Sequence, residues 1–247
     1  MRAHGDAAVT HAVLNAPRTA SVDALRWARG DAIWMLGLLV SAWLVDRVWL
    51  AALGGVASLV AWVWTQRASF GAARGFGAAN LVTSLRVVLL LALALAFDAE
   101  QAPVAAGCGL LIFTLDGFDG WLARRLNQVS DFGATYDANT DASFVLVASL
   151  GLAHLGRAPA WVLIAGGLRY AYVLALWVAR RERVQTPRSR WGRHSFGISV
   201  TAFVLSIWPL VGWTPGLPAC ATLLLAASFA RSWLLSLRAP ADVPLAR

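Results

Sequence analysis

Apolar residues in this chain gather in long runs instead of alternating with polar ones, and each run is about twenty residues, the length at which an α-helix crosses a bilayer core. Eight such runs can be read, over residues 31–48, 50–66, 80–98, 104–125, 138–156, 159–181, 196–212 and 217–237. Short segments rich in glycine, proline, aspartate and arginine separate them. The pattern predicts an all-α integral membrane protein. Residues 1–30 are polar, with Asp6, His11, Arg18, Asp23 and Arg26 spread through them, so no apolar stretch follows a basic start as in a cleaved signal peptide. A retained cytoplasmic N-terminal segment is expected.

The polar residues divide the spans into two groups. Residues 31–66 form two spans around Asp46, Arg47 and Trp49 without a polar cluster that suggests chemistry, and read as an accessory transmembrane hairpin. A glycine- and arginine-rich linker follows, and residues 67–238 carry six spans with nearly all the intramembrane polar residues. Residues 239–247, with Pro240 and Pro244, read as a C-terminal tail.

Composition agrees: 59% of the 247 residues are hydrophobic and mean hydropathy is +0.62. All 21 basic residues are arginine. With the N-terminus in the cytoplasm, only Arg47 and Arg157 fall on the far side and Arg169 falls inside a span; the others, Arg86 counted among them, lie on the cytoplasmic side. The net charge of +8 is spread over short loops and builds no separate basic domain, which argues against nucleic acid and for anionic lipid head groups. Cys108 and Cys220 match neither a disulfide framework nor a metal-ligand spacing and are expected to be packing residues.

The chemistry concentrates at the end of the fourth span. Asp116, Asp119, Gly120, Ala123 and Arg124 stand at helical spacing and form one stripe of acidic, small and cationic positions. Gly133, Asp137 and Asp141 form a second stripe at the start of the next helix, so two carboxylates on each helix face one another across the loop. Four carboxylates so placed repel unless cations neutralise them, and the two cations of Arg124 and Arg125 are too few. Hard oxygen donors in this number suit two magnesium or manganese ions. A metal pair about 3.5–4 Å apart can stabilise both the attacking and the leaving oxygen of a phosphoryl group. Gly120 and Gly133 leave room for a ligand against the backbone, and Arg124 can fork onto a phosphate oxygen.

The run D-x2-D-G-x2-A-R-x8-G-x3-D-x3-D from Asp116 to Asp141 resembles the signature of the CDP-alcohol phosphotransferase (CDP-alcohol phosphatidyltransferase) family at every defining position. The resemblance covers about residues 80–237 and leaves the hairpin outside. It implies a six-helix core, metal ligation by Asp116, Asp119, Asp137 and Asp141, and Asp141 as the general base that deprotonates the acceptor hydroxyl. It implies contacts to the CDP moiety from Asn80, Thr83, Gly120, Ala123, Arg124, Ser130 and Gly133, the first two within an N-x2-T-x2-R segment that Arg86 completes. The bland reading of Asn80 and Thr83 is a helix cap.

The implied reaction moves a phosphatidyl group from a CDP-linked donor, expected to be CDP-diacylglycerol, to an alcohol with release of CMP. Arg169, deep within a span, needs a polar cavity or an ion-pair partner. With Arg190 and Arg193 of the following loop it forms a candidate acceptor site, favouring a phosphorylated acceptor such as a glycerol or inositol phosphate over choline. Two alternatives stay open: a CDP-choline or CDP-ethanolamine phosphotransferase with a diacylglycerol acceptor, and a cation transporter using the aspartates. A homodimer is compatible with the reading. The expected location is a bacterial inner membrane, with the N-terminus and the site facing the cytoplasm.

Overall fold

The computed structural model describes residues 22–67, 75–182, 190–208 and 216–238, apart from the side chains of residues 22, 23, 190 and 193. Every element among them is helical: α1 Val22–Val45, α2 Val48–Gln66, α3 Ala78–Asp98, α4 Ala102–Arg125, α5 Asp131–His154, α6 Leu163–Val178 after a short 3₁₀ turn at Ala160–Val162, α7 Arg190–Ile207 and α8 Gly216–Arg238. Eight helices thus stand where eight spans were expected. The first begins nine residues earlier than its span, at Val22 in place of 31, and α5 begins at Asp131 in place of 138. Both extensions are polar turns that hydropathy places outside a span although their backbone is helical.

Local chemistry sets several helix ends. Asp46 turns the hairpin at φ 55°, and both carboxylate oxygens of Asp98 accept from the first amides of α2, Val48 and Trp49, at 2.8 Å each. Gly77 adopts φ 83° before α3, and Gln128 Oε1 accepts from Ala78 N at 2.9 Å. Ser130 caps α5 by accepting from Gly133 N at 3.0 Å. Arg157 Nη1 donates to Ile207 O at 2.5 Å and so satisfies a carbonyl at the end of α7.

Six helices, α1 to α4, α6 with its 3₁₀ turn, and α8, are long and apolar enough on their own to cross a membrane. The other two are α5, which carries Asp137, Asn139, Thr140 and Asp141, and α7, whose apolar stretch is only His194–Ile207. Large apolar side chains lie exposed around the bundle, Leu44 at 76% and Val178 at 78% among them, as lipid contact requires. Cys220 is exposed on α8 and packs less than expected, while Cys108 is partly buried.

The bundle is built around α5, which packs against α1, α2, α3, α6 and α7 and is almost wholly buried from Asn139 to Leu152. Its glycines permit close approach. A Cβ on Gly151 would stand 2.2 Å from the ring of Phe97, and on α6 a Cβ at Gly166 would stand 2.4 Å from Ser149 Oγ. The hairpin packs directly on this core, with α1 lying along α6 and α2 along α3 and α5.

Candidate active site

The helices bearing the aspartates, α4 and α5, touch each other hardly at all, and α3 packs against both. A cleft is left between the two stripes, walled by α3. Three carboxylates meet in it: Asp116, Asp119 and Asp137 each offer an oxygen within 4.8 Å of the others. Asp141 stands one turn further along α5, outside that group, and joins it through a side chain that α3 supplies.

That side chain is Arg86. Its Nη1 donates to Asp119 Oδ2 at 3.0 Å and Asp137 Oδ1 at 2.6 Å, and its Nη2 pairs with Asp116 Oδ1 at 2.9 Å and with Asp141 Oδ1. Thr83, one turn earlier on α3, donates from Oγ1 to Asp119 Oδ2 at 2.9 Å. Arg86 is 1% exposed, so a single guanidinium stands at the junction of four acids inside the bundle. This corrects the sequence reading, which counted Arg86 with the cytoplasmic loop arginines, weighed Arg124 and Arg125 as the neighbouring cations and found them too few. Arg125 lies over the Trp121 ring at 4.9 Å instead. Little in the sequence marked it: Arg86 stands only six residues into its apolar run, whereas Arg169 lies deep within a span and there demands a polar partner.

Four carboxylates against one guanidinium leave three formal negative charges uncompensated among these five residues. Clustered oxygen donors with excess negative charge fit hard divalent cations such as magnesium or manganese. Asp119, 5% exposed and held by Thr83 and Arg86, is the fixed member, while the side chains of Asp116 and Asp137, 37% and 39% exposed, face the cleft.

On the side of Asp119 and Asp137 lies a cavity of about 270 Å³, and Asn80, Thr83, Gly120, Ala123, Arg124, Ser130 and Gly133 all line it, together with Gln128. Every residue expected to meet the CDP moiety thus borders one space. Several have structural duties as well. Ser130 caps α5, and Asn80 Nδ2 donates to Phe76 O at 2.5 Å, whereas Thr83 binds Asp119 and is no helix cap. A Cβ on Gly133 would come within 2.9 Å of Asn80 Oδ1, so glycine there keeps the cavity wall thin.

A second cavity, of about 200 Å³, lies on the other side of Asp141 and is lined by Asp141, Arg169, Gly166, Phe196 and Phe229. Arg169 Nη2 donates to Asn139 Oδ1 at 2.7 Å. Of the three arginines expected at an acceptor site, Arg169 stands beside Asp141. The side chains of Arg190 and Arg193 lie outside the described residues, as does the 183–189 segment of their loop.

The family model described as CDP-alcohol phosphatidyltransferase matches residues 76–234. The chain is 32% identical over 148 residues to a probable phosphatidylglycerophosphate synthase of Mycobacterium tuberculosis, an alignment covering 58% of this chain and 71% of that protein. It is 39% identical over 69 residues to a CDP-diacylglycerol–glycerol-3-phosphate 3-phosphatidyltransferase of Bacillus subtilis, covering 26% and 36%. With a CDP-diacylglycerol–inositol 3-phosphatidyltransferase of Arabidopsis thaliana it shares 44% over 62 residues, covering 25% and 27%. No solved structure matches the chain.

Proposed function

This chain belongs to the CDP-alcohol phosphatidyltransferase family, an enzyme class that sets the transporter reading aside, and we propose that it transfers the phosphatidyl group of CDP-diacylglycerol to a small phosphorylated alcohol. One observation carries the proposal. Asp137 and Asp141, one turn apart on α5, border two different cavities, and the four-carboxylate cluster lies between them.

The cavity of Asn80, Thr83, Gly120, Ala123, Arg124, Ser130 and Gly133 takes the CDP group, with the Arg124 guanidinium donating to a phosphate oxygen. Asp116, Asp119, Asp137 and Asp141 would hold two magnesium or manganese ions, which when bound neutralise the diphosphate and stabilise the departing CMP. Arg86 fixes the same carboxylates from the protein side and orients Asp141 toward the second cavity. The acceptor enters that cavity with its phosphate on Arg169. Asp141 takes the proton of the acceptor hydroxyl, the oxygen forms a bond to the lipid-linked phosphorus, and the bond to the CMP oxygen breaks in line. The acyl chains of the donor stay in the bilayer. The N-terminus and the site face the cytoplasm of a bacterial inner membrane, the side of the arginine-rich loops.

The relatives named for glycerol 3-phosphate and inositol transfer support an acceptor of this kind, and the Arg169 guanidinium that lines the second cavity supports a phosphorylated one. The test is CMP release from CDP-diacylglycerol with glycerol 3-phosphate, inositol phosphate, inositol or no alcohol, and from CDP-choline with diacylglycerol. Turnover with a phosphorylated alcohol that drops by two to four orders of magnitude in Asp141→Asn is expected. Turnover only with CDP-choline and diacylglycerol, or an undiminished Asp141→Asn variant, overturns the proposal.

A further inference from the structure

Between Asp137 and Asp141, α5 carries a further polar side chain that points elsewhere. Residues two apart on a helix stand about 200° apart around its axis, so Asn139 projects away from the face that Asp137 and Asp141 share. It is 7% exposed and therefore enclosed by protein. Its hydroxyl-bearing neighbours settle on their own helix: Thr140 Oγ1 donates to Tyr136 O at 2.9 Å, and Ser143 Oγ donates to Asn139 O at 3.0 Å. The Asn139 amide instead reaches α6, where its Oδ1 accepts from Arg169 Nη2 at 2.7 Å.

That amide meets only part of its bonding capacity. Its Nδ2 is buried without a hydrogen-bond partner, a state that costs stability inside a bundle. The orientation is fixed nonetheless, because turning the amide over would aim its N–H groups at a guanidinium that has only donors. Arg169 depends on this contact. Among the described residues it makes no ion pair, and Asn139 is its one hydrogen-bond partner. Arg169 also borders the second cavity together with Asp141, while Asn139 stands behind it and does not line that space. A neutral amide oxygen thus holds the guanidinium in place without cancelling its charge, as a carboxylate at position 139 would.

We propose that Asn139 is a positioning residue for Arg169, holding the guanidinium at the edge of the second cavity with its charge available to an anionic acceptor. The inference rests on the reading that the Asp141–Arg169 cavity holds the acceptor. A long side chain that is free before binding must be ordered when an anion arrives, and that cost is subtracted from the affinity. Asn139 orders it beforehand through one Nη2 hydrogen and leaves the other N–H groups of the fork for a phosphate. Released from Asn139, the guanidinium has a second anion within the same space, because the Asp141 carboxylate lines that cavity as well. The acceptor phosphate must then compete with an internal ion pair. A half-satisfied amide kept inside the bundle, with its one made bond directed at the cation of a cavity, serves the cavity at the expense of the fold.

The experiment compares Asn139→Leu, Arg169→Gln and the double variant of the full chain in lipid nanodiscs, with CDP-diacylglycerol as donor and glycerol 3-phosphate as acceptor. Kinetics and unfolding midpoint are both read. Leucine has nearly the shape of asparagine and needs no hydrogen bond, so Asn139→Leu should leave the midpoint unchanged or raise it. The same variant should raise the acceptor KM about three- to tenfold, the size of one hydrogen bond to a charged group, with kcat and the donor KM unchanged. Acceptor affinity lost without loss of stability is a pattern that a purely structural asparagine does not give. Arg169→Gln should raise the acceptor KM at least as much, and the double variant should be no worse than Arg169→Gln alone. An unchanged acceptor KM in Asn139→Leu, a rise that persists undiminished in the Arg169→Gln background, or a fall in midpoint with both KM values raised overturns the positioning role and leaves the acceptor reading intact. An Arg169→Gln enzyme with an unchanged acceptor KM overturns the acceptor reading and this inference with it. Should Asn139→Leu fail to accumulate, Asn139→Ala removes the amide without adding bulk. The same rise in acceptor KM is then expected, and no change overturns the role.

Discussion

Glutamine at position 86 keeps most of the side-chain length and removes the charge on which four carboxylates converge. Two unit charges about 4 Å apart at an effective dielectric of about 20 interact by about 4 kcal/mol. The four partners do not count equally. Asp116 and Asp137 are 37% and 39% exposed, so solvent screens their share, while Asp119 at 6% and Asp141 at 18% carry most of it. Burying Arg86 costs part of that gain, and the net loss on breaking a buried pair is about 3–5 kcal/mol. For a chain of this size the lower figure corresponds to a fall of roughly 6–12 °C in unfolding midpoint. Thermal unfolding of Arg86→Gln in detergent, with EDTA and with excess magnesium, reads both the loss and its compensation. Four carboxylates without their guanidinium should bind magnesium more tightly than the wild-type cluster, so magnesium should raise the midpoint of the variant more than that of the wild type. CMP release at saturating magnesium should still fall about ten- to a hundredfold, since Asp141 loses the group that orients it. Arg86→Lys should lie between, because an ammonium cannot fork across four acids. A midpoint in EDTA within a degree or two of wild type would refute the reasoning that Arg86 is the structural counter-charge of this site.

Chelation with EDTA should abolish CMP release, and magnesium or manganese should restore it, as initial rates with each metal will read. Gln128→Ala removes the acceptor for Ala78 N at the start of α3 and one wall of the donor cavity. It should cost about 1 kcal/mol in unfolding experiments and raise the donor KM with little change in the acceptor KM. Gly166→Ala puts a Cβ 3.0 Å from the Leu146 backbone and 2.4 Å from Ser149 Oγ, where α6 approaches α5 beneath the second cavity. The helices must part, so a loss of about 1–3 kcal/mol is expected from the unfolding midpoint.

Much of the fold was legible because lipid imposes a simple rule on length and hydropathy, and the eight helices follow the eight apolar runs. The stripes on α4 and α5 were legible for a similar reason: spacing of three and four residues fixes which side chains share a helix face. The contribution of α3 could not be read the same way. Arg86 lies far along the chain from Asp119 and Asp141, and only the packing of α3 against both helices brings them together. An arginine near the cytoplasmic end of an apolar run looks the same in sequence whether it faces lipid head groups or a buried cluster.

The polarity of α5 has a physical cause that joins the fold to the chemistry. Its first half carries Asp137, Asn139, Thr140, Asp141 and Ser143, and its mean hydropathy drops below that of a helix able to cross a membrane alone. In lipid such a helix would expose several polar groups at a cost of a few kcal/mol each. Here five other helices surround it, so its polar groups meet protein partners instead of acyl chains. Asp137 and Asp141 turn to Arg86 on α3, and Asn139 turns to Arg169 on α6. Thr140 and Ser143 return their hydroxyls to backbone carbonyls one turn back. The second half, from Phe144 to Leu152, is almost uniformly apolar apart from Ser149 and gives the packing that fixes the helix in place. The hairpin contributes to that enclosure, since α1 and α2 both pack on α5. A truncation that removed it would uncover the polar half of α5 on one side, so loss of the hairpin should lower the unfolding midpoint of the remaining core.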